Sequence, residues 1–280
     1  MTTIYSLHKI LQDDRFDFNP AAYSRFKYGD EAVAVEFGRS LAKGFIREHL
    51  SRSPVHQQIV VISSPYSFIP TATFAMKNHF VAQLNRWLVE NDHPVVQETK
   101  VHRTITYKED YGALDAAQRI RLISNDSFHI DRQFLEGKTL LFLDDIKITG
   151  SHQKMIESMI DRYQLNNRVY MLYFAELENM TIHPRIENYL NYYSVKSIFD
   201  LGPIVKGKFF INTRIVKYIL NYEFPEFRIF IEEQSEDFVQ QLYDMAIGNG
   251  YHKIEAYARN LGFIREQFIG TTYKQFNYGY

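Results

Sequence analysis

The sequence contains no cysteine, and only one of its 280 residues is tryptophan. Without thiols the chain can form no disulfide, no thiolate metal site and no cysteine nucleophile. Neither sign of charge dominates, because 32 basic and 33 acidic side chains leave a net charge of −1. Such a chain lacks the broad basic field that attracts nucleic acid or an anionic membrane. We therefore expect no nucleic-acid partner and no membrane partner, and any anion-binding site must be local.

Long apolar segments are missing as well. No run approaches the ~20 apolar residues that a membrane-spanning helix needs. The first residues include Asp13 and Asp14 and lack a cationic start followed by an apolar core, so we expect no signal peptide. Apolar residues make up 45% of the chain and charged residues 23%, as in ordinary globular proteins. These features predict a soluble, cytoplasmic protein.

Short apolar runs alternate with segments of helical spacing. Runs with the composition of buried strands lie at 58–62, 139–143 and 169–175, and a fourth strand is expected at 196–199. Predicted helices cover 31–49, 71–90, 114–124 and a stretch from Ser151 onward, with extended chain at 95–106. This alternation predicts an α/β fold, a parallel sheet with helices on both faces. Such sheets bind ligands beyond the carboxyl ends of their strands.

The pattern changes after about Pro203. Helical spacing covers residues 208–222, 235–247 and 251–265, and turns are expected at Pro225 and at Gly248-Asn249-Gly250. Two regions are therefore predicted. Residues 1–205 form an α/β domain, and residues 206–280 form a helical extension or cap.

One segment combines a strand, an acidic pair, a bend and a helix, in the sequence LLFLDDIKITGSHQKMIESMI. Adjacent carboxylates after a buried strand, here Asp144 and Asp145, are costly unless a ligand neutralises them or hydrogen-bonds to them. The hydroxyls of a ribose can do so, with help from a nearby Mg²⁺. Gly150 lets the backbone approach an anion, and the amides before the helix can bind a phosphate. Hydroxyls from Thr149 and Ser151 and positive charge from Lys147 and His152 fit the same role.

This segment resembles the ribose-phosphate loop of the type I phosphoribosyltransferase family, with matching residues from Leu140 to Gly150. The resemblance implies that family's parallel sheet with helices on both faces, here with a C-terminal helical extension. It also implies that Asp144 and Asp145 are catalytic and hold the ribose 2- and 3-hydroxyls. The ribose-phosphate site implied by the resemblance comprises Asp144, Asp145, Ile146, Lys147, Ile148, Thr149, Gly150, Ser151 and His152. Three of these depart from the family's usual residues: Lys147, Ile148 and His152.

Three other stretches resemble the same family. Ser63-Ser64-Pro65-Tyr66 follows the first predicted strand, where members hold pyrophosphate. Residues 103–121 lie where members carry a mobile hood, and the candidate pyrophosphate cations in this stretch and just before it are Lys100, Arg103 and Lys108. Residues 23–30 resemble the N-terminal segment of the ComF-like and predicted stress-operon, tellurium-resistance-associated, branch. Taken without the resemblance, these stretches predict a plain turn, a solvated loop and, for Arg25 and Lys27, surface positions.

The resemblance implies an enzyme of nucleotide metabolism. It would transfer a phosphoribosyl group from 5-phosphoribosyl 1-diphosphate (PRPP) to a nitrogen acceptor such as a nucleobase. Mg²⁺ is the implied cofactor, held through the ligand with Asp144 or Asp145 as the protein carboxylates in reach, and a homodimer is a possible assembly. Two alternatives stay open at this point: a catalytically inactive PRPP-binding regulatory protein and an interaction protein acting through its helical tail. A hydrolase of a phosphoribosylated compound is a weaker third.

Overall fold

A computed structural model describes residues 2–52, 55–103 and 128–270. Its centre is a parallel sheet in the order β1-β7-β6-β2-β3. The strands are β1 (Thr2–Ile10), β2 (Ile59–Ser63), β3 (Gln97–Lys100), β4 (His102–Arg103), β5 (Phe128–His129), β6 (Thr139–Lys147) and β7 (Arg168–Leu177). The short strands β4 and β5 form a separate antiparallel pair. The predicted helix at 114–124 and Lys108 lie outside the described residues.

Helices cover both faces of the sheet, which confirms the predicted fold class. The helices of the α/β region are α1 (Pro20–Lys27), α2 (Glu31–Phe45), α3 (Ala72–Glu90), α4 (Arg132–Leu135), α5 (Ser151–Arg162) and α6 (Ile186–Asn191). Odd-numbered residues of β6, such as Leu141, pack in one core with α1, α2 and α3. The even-numbered residues Leu140 and Phe142 pack in a second core with α4 and α5, whereas Ile146, near the end of the strand, belongs to the first core. This alternation follows from the two-residue period of a strand.

Strand β6 is longer than its apolar run predicts. The run ends at Leu143, but pairing with β7 continues as far as Lys147 and Glu176. Beyond β7, the edge strand β1 pairs up to Leu177, and the mixed composition of β1 does not indicate a strand. The acidic pair therefore lies within a strand, and its two side chains point to opposite faces of the sheet.

The C-terminal region is helical, as predicted, and has its own apolar core. Its helices are α7 (Gly202–Val205), α8 (Thr213–Leu220), α9 (Phe224–Glu232), α10 (Glu236–Gly248) and α11 (Glu255–Ile264). Tyr28, from the turn after α1, and Ile69, from the loop after β2, are also buried in that core. The boundary between Val205 and Lys206 stays a prediction.

Three local predictions in this half of the chain are wrong. Residues 196–199 form no strand, because the backbone amides of Lys196 and Ser197 donate to Asp200 Oδ2 at 2.9 and 2.8 Å and close a 3₁₀ turn. The helix predicted from residue 208 begins at Thr213. Pro225 lies in the first turn of α9 and breaks nothing, since a proline there loses no helical hydrogen bond.

The glycine turn, in contrast, is confirmed. Helix α10 ends at Gly248, and Gly250 adopts a left-handed conformation with φ of 76°. A positive φ at this point is the usual way for glycine to end a helix.

Across the described residues, none of the helices combines the length and the hydropathy that crossing a membrane would require.

Candidate ribose-phosphate site

Asp145 is buried and held entirely by protein groups. Only 5% of the residue is exposed, and Lys27 forms an ion pair with its Oδ2. The Tyr23 hydroxyl donates to the same oxygen at 2.6 Å, and the Thr73 hydroxyl donates to Oδ1 at 3.1 Å. Burial by itself favours the neutral acid, but the Lys27 charge and these hydrogen bonds prevail and hold the pKa of Asp145 well below its usual range. The carboxylate is therefore charged at neutral pH.

Tyr23 completes this arrangement as a permanent donor. Burial, and then the neighbouring negative charge of Asp145, raises the pKa of the Tyr23 hydroxyl well above its ordinary value. The phenol keeps its proton, so the hydrogen bond to Asp145 is present over the whole physiological pH range.

Asp144 has a more open environment, with 17% of its side chain exposed. Its Oδ1 accepts hydrogen bonds from the Ser64 hydroxyl at 3.1 Å and from the Asp145 backbone amide at 3.0 Å. Its Oδ2 lies 3.0 Å from Nδ1 of His152. Thr73 Oγ1 is 3.4 Å from Asp144, but its single proton goes to the closer Asp145. The side chains of Ser64 and His152 thus hold Asp144 at the edge of the sheet, where it is partly exposed.

A cleft that is partly open to solvent lies on the Asp144 side of the sheet. Its polar wall is formed by Asp144, His152, Ser63 and Ser64. The remaining lining is mostly apolar and consists of Ile62, Pro65, Val101, Phe142, Leu143, Met155, Ile156, Met159 and Tyr173. Asp145 does not line this cleft, since it points to the opposite face. Of the acidic pair, Asp144 alone is available to a ligand in the cleft.

The bend after β6 has the geometry that the sequence predicts for an anion-binding turn. Gly150 has a φ of 70°, and α5 begins at the next residue, Ser151. Within the described residues no side chain caps this helix N-terminus, and Thr149 and Ser151 bring their hydroxyl oxygens to 2.8 Å from each other. The free amides at a helix N-terminus favour an anion.

The side chains of Ile146, Lys147 and Ile148 do not line the cleft. Ile146 and Ile148 are buried in the apolar core with α1, α2 and α3, so these residues can meet a ligand only through their backbone. Lys147 donates to Glu176 Oε1 at 2.6 Å, and Glu176 also accepts from Lys9 and Ser6.

Glu176 thereby neutralises part of the charge that Lys147 brings to the bend. Burial acts to raise the pKa of Glu176, but hydrogen bonds from Lys147, Lys9 and Ser6 lower it to about 2. The glutamate is therefore ionised at neutral pH, and two ammonium groups share one carboxylate.

The described candidate pyrophosphate residues lie at the same edge of the sheet. Ser63 ends β2 and is largely buried, and it lines the cleft together with Ser64 and Pro65. Lys100 ends β3 beside Ser63, and its ammonium lies 4.5 Å from the centre of the Tyr66 ring. Arg103 belongs to β4, and its side chain, like all of Lys108, lies outside the described residues.

The sequence did not indicate three residues of the site: Tyr23, Lys27 and Thr73. The expectation that Lys27 lies at the surface is wrong, because only 11% of its side chain is exposed. Tyr23 and Lys27 are four residues apart and so share a face of α1. A lysine on a buried face requires an acid, so this spacing was an available signal. Arg25, on another face of α1, is 41% exposed and pairs with Asp30.

The parallel sheet, the acidic pair at its carboxyl edge and the glycine bend before a helix define the type I phosphoribosyltransferase class. A family model described as ComF-like phosphoribosyltransferase matches residues 1–264. The chain belongs to this family, which confirms the resemblance found in the sequence. The match also includes the helical region as far as Ile264, beyond the residues that carried the resemblance.

Solved structures similar to this chain include hypoxanthine phosphoribosyltransferases. The enzyme from Staphylococcus aureus is 11% identical, with a TM-score of 0.33 and coverage of 52% of this chain and 75% of that chain. The enzyme from Trypanosoma cruzi is 16% identical, with a TM-score of 0.34 and coverage of 54% and 77%. A comparison with curated protein sequences finds no significant match. Similarity at this level does not identify a substrate.

Proposed function

We propose that the protein binds PRPP with Mg²⁺ and transfers its phosphoribosyl group to a nitrogen acceptor such as a nucleobase, releasing pyrophosphate. Membership of a phosphoribosyltransferase family supports the class of reaction. The observation that carries the proposal is the position of Asp144. It lies at the carboxyl edge of the sheet, faces the cleft and contacts both Ser64 after β2 and His152 in the first turn of α5.

The two sides of Asp144 suit the two ends of the donor. The uncapped start of α5, with the Thr149 and Ser151 hydroxyls, supplies donors for the 5-phosphate. The amides after Ser64 and the ammonium of Lys100 are available to the diphosphate on the other side. Asp144 lies between them and accepts hydrogen bonds from the ribose hydroxyls. His152 donates to the carboxylate or to the phosphate from the first turn of α5.

Asp145 has a supporting role in this proposal. Its oxygens accept hydrogen bonds from Tyr23, Lys27 and Thr73, so it holds the end of β6 against α1 and α3. Because Lys27 compensates its charge, Asp145 adds little net negative charge beside the cleft.

The carboxylate geometry fits a Mg²⁺ that is bound mainly by ligand oxygens. Among the described residues, no group of three or more His, Asp or Glu side chains could hold a metal by itself. Asp144 is the carboxylate that would reach an ion on the donor, whereas Asp145 is engaged by Lys27. When bound, Mg²⁺ neutralises charge on the diphosphate leaving group.

The chemistry needs positioning more than proton transfer. As the C1–O bond breaks, its electron pair leaves with the diphosphate and positive charge develops on the ribose ring. The Asp144 carboxylate beside the ring stabilises that charge. The lone pair of the acceptor nitrogen then forms the bond to C1, and the proton of that nitrogen passes to the released diphosphate or to solvent. The apolar lining of the cleft limits the access of water, which would otherwise compete with the acceptor nitrogen.

A pyrophosphate-release assay tests the proposal. The wild type is incubated with PRPP, Mg²⁺ and a panel of nucleobases, beside Asp144→Asn and the control Asp161→Asn, which changes an exposed carboxylate on α5. We expect release with at least one base, a loss of about 100-fold or more in Asp144→Asn, and an unchanged rate in the control. Equal rates in all three proteins would contradict the assignment of Asp144.

One observation favours a second candidate, a regulatory protein that binds PRPP without turnover. The Lys147 ammonium is directed to Glu176 and not to the cleft, which removes a cation from the site. For this candidate, calorimetry would show tight binding of the donor while no base causes pyrophosphate release.

A further inference from the structure

The loop between β2 and α3 is held at its far end by the helical region. The backbone amides of Phe68 and Ile69 both donate to Oδ1 of Asn249, at 2.9 and 3.1 Å. The amide of Thr213 donates to the Pro70 carbonyl at 2.9 Å, and the Thr213 hydroxyl lies 3.0 Å from the Ile69 and Pro70 carbonyl oxygens. Backbone groups on three successive residues of this loop therefore have partners more than 140 residues away in the chain.

Packing reinforces these hydrogen bonds. Ile69 is 1% exposed and belongs to the core of the helical region. The ring of Phe68 lies against Gly248, so closely that a Cβ at this glycine would be 2.4 Å from the ring. These contacts hold the loop against the end of α10.

The same region also contacts the turn that follows Lys27. Asn212, fully buried, donates from Nδ2 to the Lys27 carbonyl at 3.2 Å. The Phe210 amide donates to the Gly29 carbonyl at 2.9 Å. The segment around Asn212 and Thr213 thus joins the end of α1, which carries the Asp145 partner, to the loop that carries Ser64.

We propose that the helical region is a positioning element for the diphosphate half of the site, acting through Asn249 and Thr213. This inference rests on the proposed function, since it takes the loop after Ser63 as the diphosphate subsite. A loop that is ordered in advance loses less conformational entropy when its amides bind an anion. Removing the anchor should therefore weaken ligands that carry a diphosphate and leave other ligands unaffected.

Calorimetry on the full chain with three probes tests this selectivity: PRPP with Mg²⁺, pyrophosphate with Mg²⁺, and ribose 5-phosphate. For Asn249→Ala we expect affinity for the two diphosphate probes to fall about tenfold, as two lost neutral hydrogen bonds imply. Ribose 5-phosphate should bind within about twofold of the wild type. Asn249→Asp should restore the affinity, because a carboxylate oxygen also accepts both amides.

The matched control is Asn260→Ala. The Asn260 amide donates to the carbonyls of Leu220 and Tyr222 at 3.0 and 2.9 Å, entirely inside the helical region. This variant should melt at a lower temperature and keep the wild-type affinity for all three probes. If Asn260→Ala weakens the diphosphate probes as much as Asn249→Ala does, loss of stability explains the effect and the inference is overturned.

Amide hydrogen exchange separates this inference from the proposed function. Exchange at Phe68 and Ile69 should be faster in Asn249→Ala and unchanged in Asn260→Ala. Unchanged exchange in both variants overturns the anchoring. A wild type that binds none of the probes overturns the proposed function and the diphosphate claim together, whereas the exchange result still decides whether Asn249 orders the loop.

If Asn249→Ala does not fold, a second pair of variants tests the same inference. Gly248→Ala places a methyl group against Phe68, whereas Gly262→Ala, in α11, has no atom within 4 Å of the new methyl. Weaker diphosphate binding in Gly248→Ala alone supports the inference. Equal binding in both variants contradicts it.

Discussion

The two halves of the acidic pair differ far more than their adjacency in the sequence suggests. On one face of the sheet, Asp145 is enclosed by Lys27, Tyr23 and Thr73 and does not line the cleft beside Asp144. On the other face, Asp144 is held by Ser64 and His152 at the wall of an open cleft. The comparison shows how a strand can place one carboxylate in the fold and the next in the site, because successive side chains point in opposite directions.

The largest expected effect is a loss of stability when Asp145 loses its ion-pair partner. Lys27→Met leaves a buried carboxylate without its cation, which typically costs about 3–5 kcal/mol of unfolding free energy. The matched control is Arg25→Met, which removes a more exposed ion pair to Asp30 and should cost at most about 1 kcal/mol. Urea denaturation measures both. Equal losses of unfolding free energy in the two variants would contradict the claim that the buried Asp145 carboxylate depends on Lys27.

The pH dependence of stability tests the same ion pair. The folded-state pKa of Asp145 is below its ordinary value of 3.8, so its pairing stabilises the fold above about pH 4, and this contribution is lost as the pH falls. In Lys27→Met the cation is gone and burial acts to raise that pKa, so protonation relieves the unpaired charge. The stability gap between wild type and variant should therefore narrow from pH 7 to about pH 3. A constant gap would mean that the loss in Lys27→Met is one of packing.

A smaller effect is expected at Glu176, beside the bend. Glu176→Gln removes the shared partner of Lys147 and Lys9 and should cost about 1–2 kcal/mol at pH 7. Since the folded pKa is about 2, against an ordinary 4.5, this loss should vanish as the pH falls through that interval. Glu178→Gln is the control, because that side chain is 55% exposed and lies 3.9 Å from Lys9. Denaturation as a function of pH measures both variants. A loss of unfolding free energy in Glu176→Gln that stays the same as the pH falls would contradict the assigned ion pairs.

A loss of stability of similar size is expected at two glycines. Gly150→Ala and Gly137→Ala both force a side chain into a left-handed conformation and should each cost about 1–2 kcal/mol. Neither new methyl meets an atom closer than 3.7 Å. Donor binding should weaken only in Gly150→Ala, where the methyl lies on the bend that faces the phosphate. Equal donor affinity in both variants would place the 5-phosphate away from this bend.

The sequence predicts the buried part of the fold well. Strands β2, β6 and β7 lie inside the sheet, so their residues form continuous apolar runs that are recognisable without any structure. Edge strand β1 is partly exposed, and its mixed residues carry no such signal. The strand predicted at 196–199 is wrong for a related reason: four residues give no period, and the Asp200 side chain closes a turn instead.

Only the part of the candidate site that consecutive residues form could be predicted from the sequence. The bend from Lys147 to Ser151 is encoded by consecutive residues, and the structure has the expected glycine conformation and the expected helix start. The partners of Asp145 come from positions 72 to 122 residues away, and no local pattern encodes such pairings. The anchoring of the Phe68 loop by Asn249 has the same origin, since it depends on how the helical region packs.

The most direct test is a crystal structure of the protein with PRPP and Mg²⁺. We predict that the ribose hydroxyls lie within about 3.2 Å of the Asp144 carboxylate. The 5-phosphate should contact the amides at the start of α5, and the ion pair between Lys27 and Asp145 should remain intact. A donor bound away from Asp144, or a ribose that displaces Lys27 and takes Asp145 instead, would contradict the division between the two carboxylates.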